Sequence, residues 1–167
     1  MLDSGDNILA NEGFGNFVPN IPLNTSRLYT YHTESHWLPF RKSFLNIWAP
    51  LFREKKINHG TIIIKPFSHL EVHEFSEYQG FNNEYLDDSY TQYEVPENDK
   101  YQELAISASP SDVVFFNKNL LHTSEINKSK NVGYVYIQRL FDISSDLSIS
   151  SIMGIRPYSI DSKKIGR

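Results

Sequence analysis

Seven short runs of β-branched and aromatic residues, each bounded by Pro, Gly, Asn or Ser, constrain the fold of this chain most. They are residues 27–34 (RLYTYHTE), 44–51 (FLNIWAPL), 60–66 (GTIIIKP), 104–108 (LAISA), 112–117 (DVVFFN), 119–124 (NLLHTS) and 132–141 (VGYVYIQRLF). Runs of this length and composition suit half-buried pleated strands. An eighth candidate is 151–158 (SIMGIRPY). No segment sustains the period of a long amphipathic helix, so the strands must close on one another as a sandwich or jelly roll. Eleven Phe, ten Tyr and two Trp are a heavy aromatic load that suits such a core. At 167 residues, one domain around one core is expected over 1–167.

Two stretches break the strand texture. Residues 1–26 carry Gly5, Gly13, Gly15, Pro19, Pro22 and five Asn with little periodicity, and read as an irregular N-terminal arm. Residues 70–103 form a polar insertion with ten acidic residues against Lys100 alone, and with Tyr78, Tyr85, Tyr90, Tyr93 and Tyr101 spaced through it. Long loops in small domains are commonly functional. A lid over a pocket and a solvated surface excursion are the two readings of this one.

Composition removes several classes of function. The absence of Cys excludes disulfides, thiolate zinc sites and a Cys nucleophile, so any metal must use His and carboxylate. A net charge of −4 and no Lys/Arg cluster among aromatics argue against nucleic acid. No apolar run approaches the roughly 18 to 20 residues of a membrane span, and residues 1–20 lack the basic start and apolar core of a signal peptide. A soluble, cytoplasmic protein acting on a small molecule is the expectation.

His32 and Glu34 are two apart in a candidate strand, so both side chains point to one face. A third ligand from a distant strand would close one face of an octahedron. His122, 90 residues later in NLLHTS, is placed to supply it. Two His and one carboxylate with the opposite face open form the facial triad of non-heme Fe(II) oxygenases. A polar strand face at the surface produces the same His-x-Glu pattern, so the pair alone is a weak signal.

The surrounding sequence sharpens it. In order the chain reads YHTESHW, SFLNIWAPLF, NHGTIIIKPFSH, SPSDVVFFNKNLLHTSEINKS and GYVYIQRLF. From Tyr29 to Phe141 this resembles the phytanoyl-CoA dioxygenase family of Fe(II)- and 2-oxoglutarate-dependent oxygenases. The resemblance implies an all-β, cupin-like double-stranded β-helix (jelly roll) with iron at His32, Glu34 and His122 and 2-oxoglutarate as cosubstrate. It also places the face of Asn46 and Trp48 inside the barrel, with Trp48 as core packing. Asp112 is expected to cap a turn. Asn127 and Ser129 are expected to fix the backbone beyond the distal His, and Ser124 shares the alternation face of His122. His59 is read as a turn residue. His69, in the corner PFSH, is read as shaping a loop. His36 and His73 are left out of the metal site.

Three departures stand out. The family holds the far carboxylate of the cosubstrate with an Arg about eleven residues after the distal His, where this chain has Gly133. Arg139 matches a second Arg of the family and lies roughly 20 Å further along the strand. Lys65 is the leading replacement cation, against the alternative of a strand-end lysine reaching solvent. Lys128, Lys130 and Arg41 are weaker candidates. The cofactor-binding set is therefore Lys65, Asn46, Ser124 and Arg139. Phe67 stands where the family corner has Gly, a poor exchange if the backbone there needs positive φ. Finally, few residues precede the His-x-Glu strand, so either the barrel is minimal or truncated or a partner subunit covers the exposed sheet; a large bare apolar surface would favour a homodimer. The alternatives to an oxygenase are a jelly-roll binding module without cosubstrate and a cupin-like metalloenzyme that does not use 2-oxoglutarate.

Overall fold

The computed structural model describes residues 8–10, 15–24, 30–35, 44–52, 60–77, 93–95 and 100–142. In chain order its strands are β1 (Ile8–Ala10), β2 (Asn16–Asn20), β3 (Phe44–Phe52), β4 (Ile62–Ile64), β5 (Ser76–Glu77), β6 (Tyr93–Glu94), β7 (Leu104–Ala105), β8 (Val114–Asn117), β9 (His122–Ser124) and β10 (Gly133–Asp142). The only helix among the described residues is a single 3-10 turn at Ser68–Leu70.

β10 is the spine of the larger sheet. One edge pairs with β3, from Tyr134–Phe52 to Phe141–Phe44, and the other takes β2 along its first half and β1 at its end. β8 completes the sheet on the far side of β3. The smaller sheet has the order β7-β4-β9, and a bridge between His32 and His122 extends it. All of these pairings are antiparallel. Trp48, Phe116, Val114, Val135 and Ile137 from the large sheet meet Ile62, Ile64 and Ile106 from the side of the small sheet in one apolar cluster, together with Ala108 and Leu120. Two antiparallel sheets sharing a single core make the protein a jelly roll.

The strands β4, β7, β8 and β9 fall within the runs expected from sequence, and β3 and β10 each extend one residue past theirs. The N-terminal arm differs, because it is not irregular throughout. Residues 8–10 and 16–20 pair with β10 as edge strands. An edge strand tolerates Pro19, since one side of its backbone needs no partner in the sheet. The 27–34 run contributes only the bridge at His32 among its described residues, and 151–158 lies outside them.

Asn127 fastens the arm to the barrel. Its fully buried amide donates to the carbonyls of Asn20 and Asn131 and accepts from Ser129 N and Oγ, while its own carbonyl accepts from Leu23 N. Gly60 lies against the same knot at φ 70°, where a Cβ would come within 2.5 Å of the Glu125 carbonyl. Asp112 caps its turn by accepting from Ser109 N and Oγ.

The base of the acidic insertion is zipped. Glu71 pairs with Lys100, His73 packs edge-on against Tyr101, and β5 pairs with β6. The Val95 amide then donates to the Tyr31 carbonyl, so one limb of the insertion is tied to the residue before His32.

Candidate metal centre

His32 and His122 are joined through their own backbones. Each amide donates to the other's carbonyl at 3.1 Å. Such a directly opposed antiparallel pair sends both side chains to the same face. Their rings lie 4.3 Å apart between centroids. Glu34 follows two residues after His32, and its amide donates to Lys118 O at the turn between β8 and β9. The segment carrying two of the three residues is thereby laid along β9, which carries the third, and the turn that leads into it.

The PFSH corner fixes His122 from behind. Lys65 N donates to Leu121 O, and Leu121 N donates to Ser68 Oγ at 2.9 Å, so the residue before His122 is held at both backbone groups. His73 Nε2 in turn donates to Ser68 O. Phe67 supports this corner at φ 67°, in the left-handed region, with its ring exposed to solvent. The chain keeps the corner conformation without the Gly that usually permits it. The loop-shaping contacts made by Ser68 and His73 were not evident from sequence, because they link residues 53 positions apart and reach back out of the acidic insertion.

The two imidazoles are oriented alike. His32 Nδ1 donates to Thr30 O at 2.8 Å and His122 Nδ1 to Leu120 O at 2.9 Å. A carbonyl can only accept, so each Nδ1 carries a proton, and in the neutral ring Nε2 is left to present a lone pair. Glu34 Oε1 lies 3.7 Å from His122 Nε2, and one ligand atom from each of the three buried residues falls within a 4.8 Å cluster. With both imidazoles neutral, the two Nε2 atoms and Glu34 Oε1 offer three acceptors around one point. That donor set fits a divalent transition metal.

Arg139 controls the other carboxylate oxygen. From β10 its Nε and Nη2 both donate to Glu34 Oε2, at 2.9 and 2.5 Å. Oε2 is thus held by the guanidinium and Oε1 faces the histidines. Burial is the largest influence on the Glu34 carboxyl and opposes ionisation. The hydrogen-bonding contact with His122, the charge of Arg139 and the nearness of both His outweigh it, and hold the carboxyl well below the usual carboxylate range. Glu34 is therefore an anion at neutral pH. Phe116 of β8 packs edge-on against the His122 ring at 4.8 Å, so the large sheet backs the site with both an aromatic and an arginine.

The cofactor-binding candidates separate. Arg139 reaches the triad through Glu34. Asn46 is opposite Arg139 in the β3–β10 register, on the same strand face as the core residue Trp48. Ser124 is two residues beyond His122 and is exposed. Lys65 directly follows β4. It is buried rather than reaching for solvent, with its ammonium 4.3 Å from the Tyr31 ring centroid. Alternation puts Tyr31 on the opposite face from His32. Lys128 and Lys130 are exposed, and Gly133 is buried at the start of β10 opposite Asn20. His36, His59 and Arg41 lie outside the described residues.

Known structures share this arrangement of strands. EvdO2 from Micromonospora carbonacea var. aurantiaca, complexed with 2-oxoglutarate, superposes with a TM-score of 0.67 at 16% identity, covering 82% of this chain and 53% of that one. SnoK, a non-heme alpha ketoglutarate dependent carbocyclase from nogalamycin biosynthesis, gives 0.59 at 20% identity over 81% and 50%. EctD from S. alaskensis, with 2-oxoglutarate and 5-hydroxyectoine, gives 0.58 at 15% over 84% and 46%. The chain shares their fold. It spans about half the length of each. No protein-family model matches the sequence, and no curated protein does. No helix among the described residues is long and apolar enough to cross a membrane.

Proposed function

We propose that this protein is a non-heme Fe(II)- and 2-oxoglutarate-dependent oxygenase of phytanoyl-CoA dioxygenase type, acting on a small molecule. One observation carries the reading: two Nε2 lone pairs and one arginine-anchored carboxylate converge on one face inside a jelly roll. A facial His/His/carboxylate set leaves coordination positions open for cosubstrate and oxygen. With iron and 2-oxoglutarate bound, the site would supply oxidation of a substrate C–H bond coupled to release of succinate and CO2.

The residues of this chain prepare that chemistry. Thr30 and Leu120 carbonyls set the imidazole tautomers, and Arg139 fixes the carboxylate rotamer. Partners of this kind raise ligand basicity and hold ligand orientation. Phe116, Trp48 and the other apolar side chains of the core exclude water from the floor of the site. The acidic, Tyr-rich insertion favours a polar or cationic substrate over an acyl-CoA, whose phosphates would want Lys and Arg.

Gly133 favours a second reading, a jelly-roll metalloenzyme that binds metal without 2-oxoglutarate. Anaerobic reconstitution with Fe(II) followed by 2-oxoglutarate separates the two. A weak visible charge-transfer band, and succinate formed on admission of oxygen, support the oxygenase. Metal binding without either band or succinate supports the second reading, and no Fe(II) binding above background excludes both.

A further inference from the structure

The inner face of the large sheet is laid out in rows, and the last of them holds a lysine. Ile137, Trp48 and Val114 form an apolar row. Arg139, Asn46 and Phe116 form the next, which backs the three candidate metal ligands. One step further β3 begins at Phe44, β8 has ended at Asn117, and Lys118 takes the place on the β8 side. Alternation gives Lys118 the face of Phe116. Its ammonium lies 5.8 Å from the ring centroid of Phe44, a residue only 1% exposed. The Lys118 backbone also frames the centre, since its carbonyl accepts from the Glu34 amide.

This end of the barrel is the approach to the metal centre. Ile64 at the end of β4 stands opposite both Leu104 at the start of β7 and His122 at the start of β9. The turn from Asn117 to His122 joins the two sheets here. The strand ends of both sheets therefore share one rim, and the acidic insertion between β4 and β7 leaves from it. Away from the rim, among the described residues, Trp48, Val114 and Ile137 pack with Ile62, Ile106 and Ala108 and fill the interior. A molecule brought to His32, Glu34 and His122 enters past Lys118.

A lysine at a strand end usually extends its ammonium into water. Lys118 is instead half-buried beside an aromatic ring. The ring face offsets only part of what the ammonium loses with its water, and an anion offsets more. Other cations beside the centre are turned to other groups: Arg139 to Glu34, and Lys65 to the Tyr31 ring.

We propose that the Lys118 ammonium holds a carboxylate of the substrate, so that this protein acts on a small carboxylic acid presented to the centre of His32, Glu34 and His122. This rests on the proposed function and names its substrate class. One lysine matches one carboxylate, whereas the several phosphates of a coenzyme need several cations. Successive rows on one sheet face are roughly 7 Å apart, a separation that a chain of a few carbons spans. The polar or cationic groups favoured by the acidic insertion belong to the rest of the molecule.

The test uses the Fe(II) protein saturated anaerobically with 2-oxoglutarate, so that the cosubstrate position is filled. It is titrated calorimetrically with butyrate and with the neutral counterpart butyramide, in wild type, Lys118→Gln and Lys118→Arg. Wild type should bind butyrate roughly 10- to 100-fold more tightly than butyramide, as one hydrogen bond between charged groups provides. Lys118→Gln should lose that preference while keeping its affinity for Fe(II) and 2-oxoglutarate, and Lys118→Arg should retain most of it. Equal binding of the two probes by wild type, no binding of butyrate, or a preference that survives in Lys118→Gln would overturn the inference. So would loss of Fe(II) binding in Lys118→Gln, which would make the side chain a structural support of the centre. Failure of wild type to bind Fe(II) or 2-oxoglutarate would overturn the underlying reading, and the inference with it.

Discussion

Phe67 holds a backbone conformation that L-residues with bulky side chains rarely adopt, and its ring gains little from burial in return. Replacing it with Gly removes the strain and gives up little packing. Phe67→Gly should therefore raise stability by about 1 kcal/mol, a melting temperature some 2 to 4 °C higher in thermal denaturation. Arg139 is the opposite case, since it neutralises a buried carboxylate. Arg139→Gln should destabilise the metal-free protein by about 3 kcal/mol in denaturant titration. Fe(II) affinity should fall roughly 10- to 100-fold, because Glu34 loses the contact that orients it. Arg139→Lys should recover part of both losses. His32, Glu34 and His122 were legible in the sequence because strand parity and one distant His suffice to suggest a triad. The Arg139–Glu34 contact was not, because it depends on how two sheets face each other across 105 residues. The place of Lys65 at a strand end was readable, but the Tyr31 ring beside its ammonium was not.

At the level of elements, two devices aim the distal His: the mutual backbone pair with His32, and the corner that clamps Leu121. Ser68→Ala leaves the buried Leu121 amide without its acceptor. The expected loss is about 1 to 3 kcal/mol by denaturant unfolding, with weaker Fe(II) binding following from a less fixed His122. Among the strands that could be read from sequence, β3, β8 and β10 show an alternation that separates a core face from an outer face. β1 and β2 escaped because edge strands carry weak alternation, and Pro19 argued against a central strand without excluding an edge. β5 and β6 are two residues each, too short to carry any period. The corner at Phe67 shows the converse, a backbone shape retained although the residue at the turn opposes it.

Taken whole, the molecule places its candidate metal ligands on the side of the small sheet and their support on the large one. Glu34 is locked by Arg139 from β10, and His122 is packed by Phe116 from β8. A bound ion joins three side chains whose anchorage spans both sheets, so it should stabilise the entire fold and not one loop. At a hundredfold excess over Kd, Fe(II) should add about 2.7 kcal/mol to the unfolding free energy, reversibly on chelation. The outer face of the large sheet carries exposed Phe115, Phe17 and Tyr134, and the structures it resembles are about twice as long. Neither fact touches the candidate metal centre, whose three residues all lie among the described residues. The most direct test is an anaerobic calorimetric titration of metal-free protein with Fe(II), run beside His122→Ala. The structure predicts one ion per chain in the wild type and loss of that binding in the variant. Absence of binding in the wild type, or equal binding in both, would contradict it.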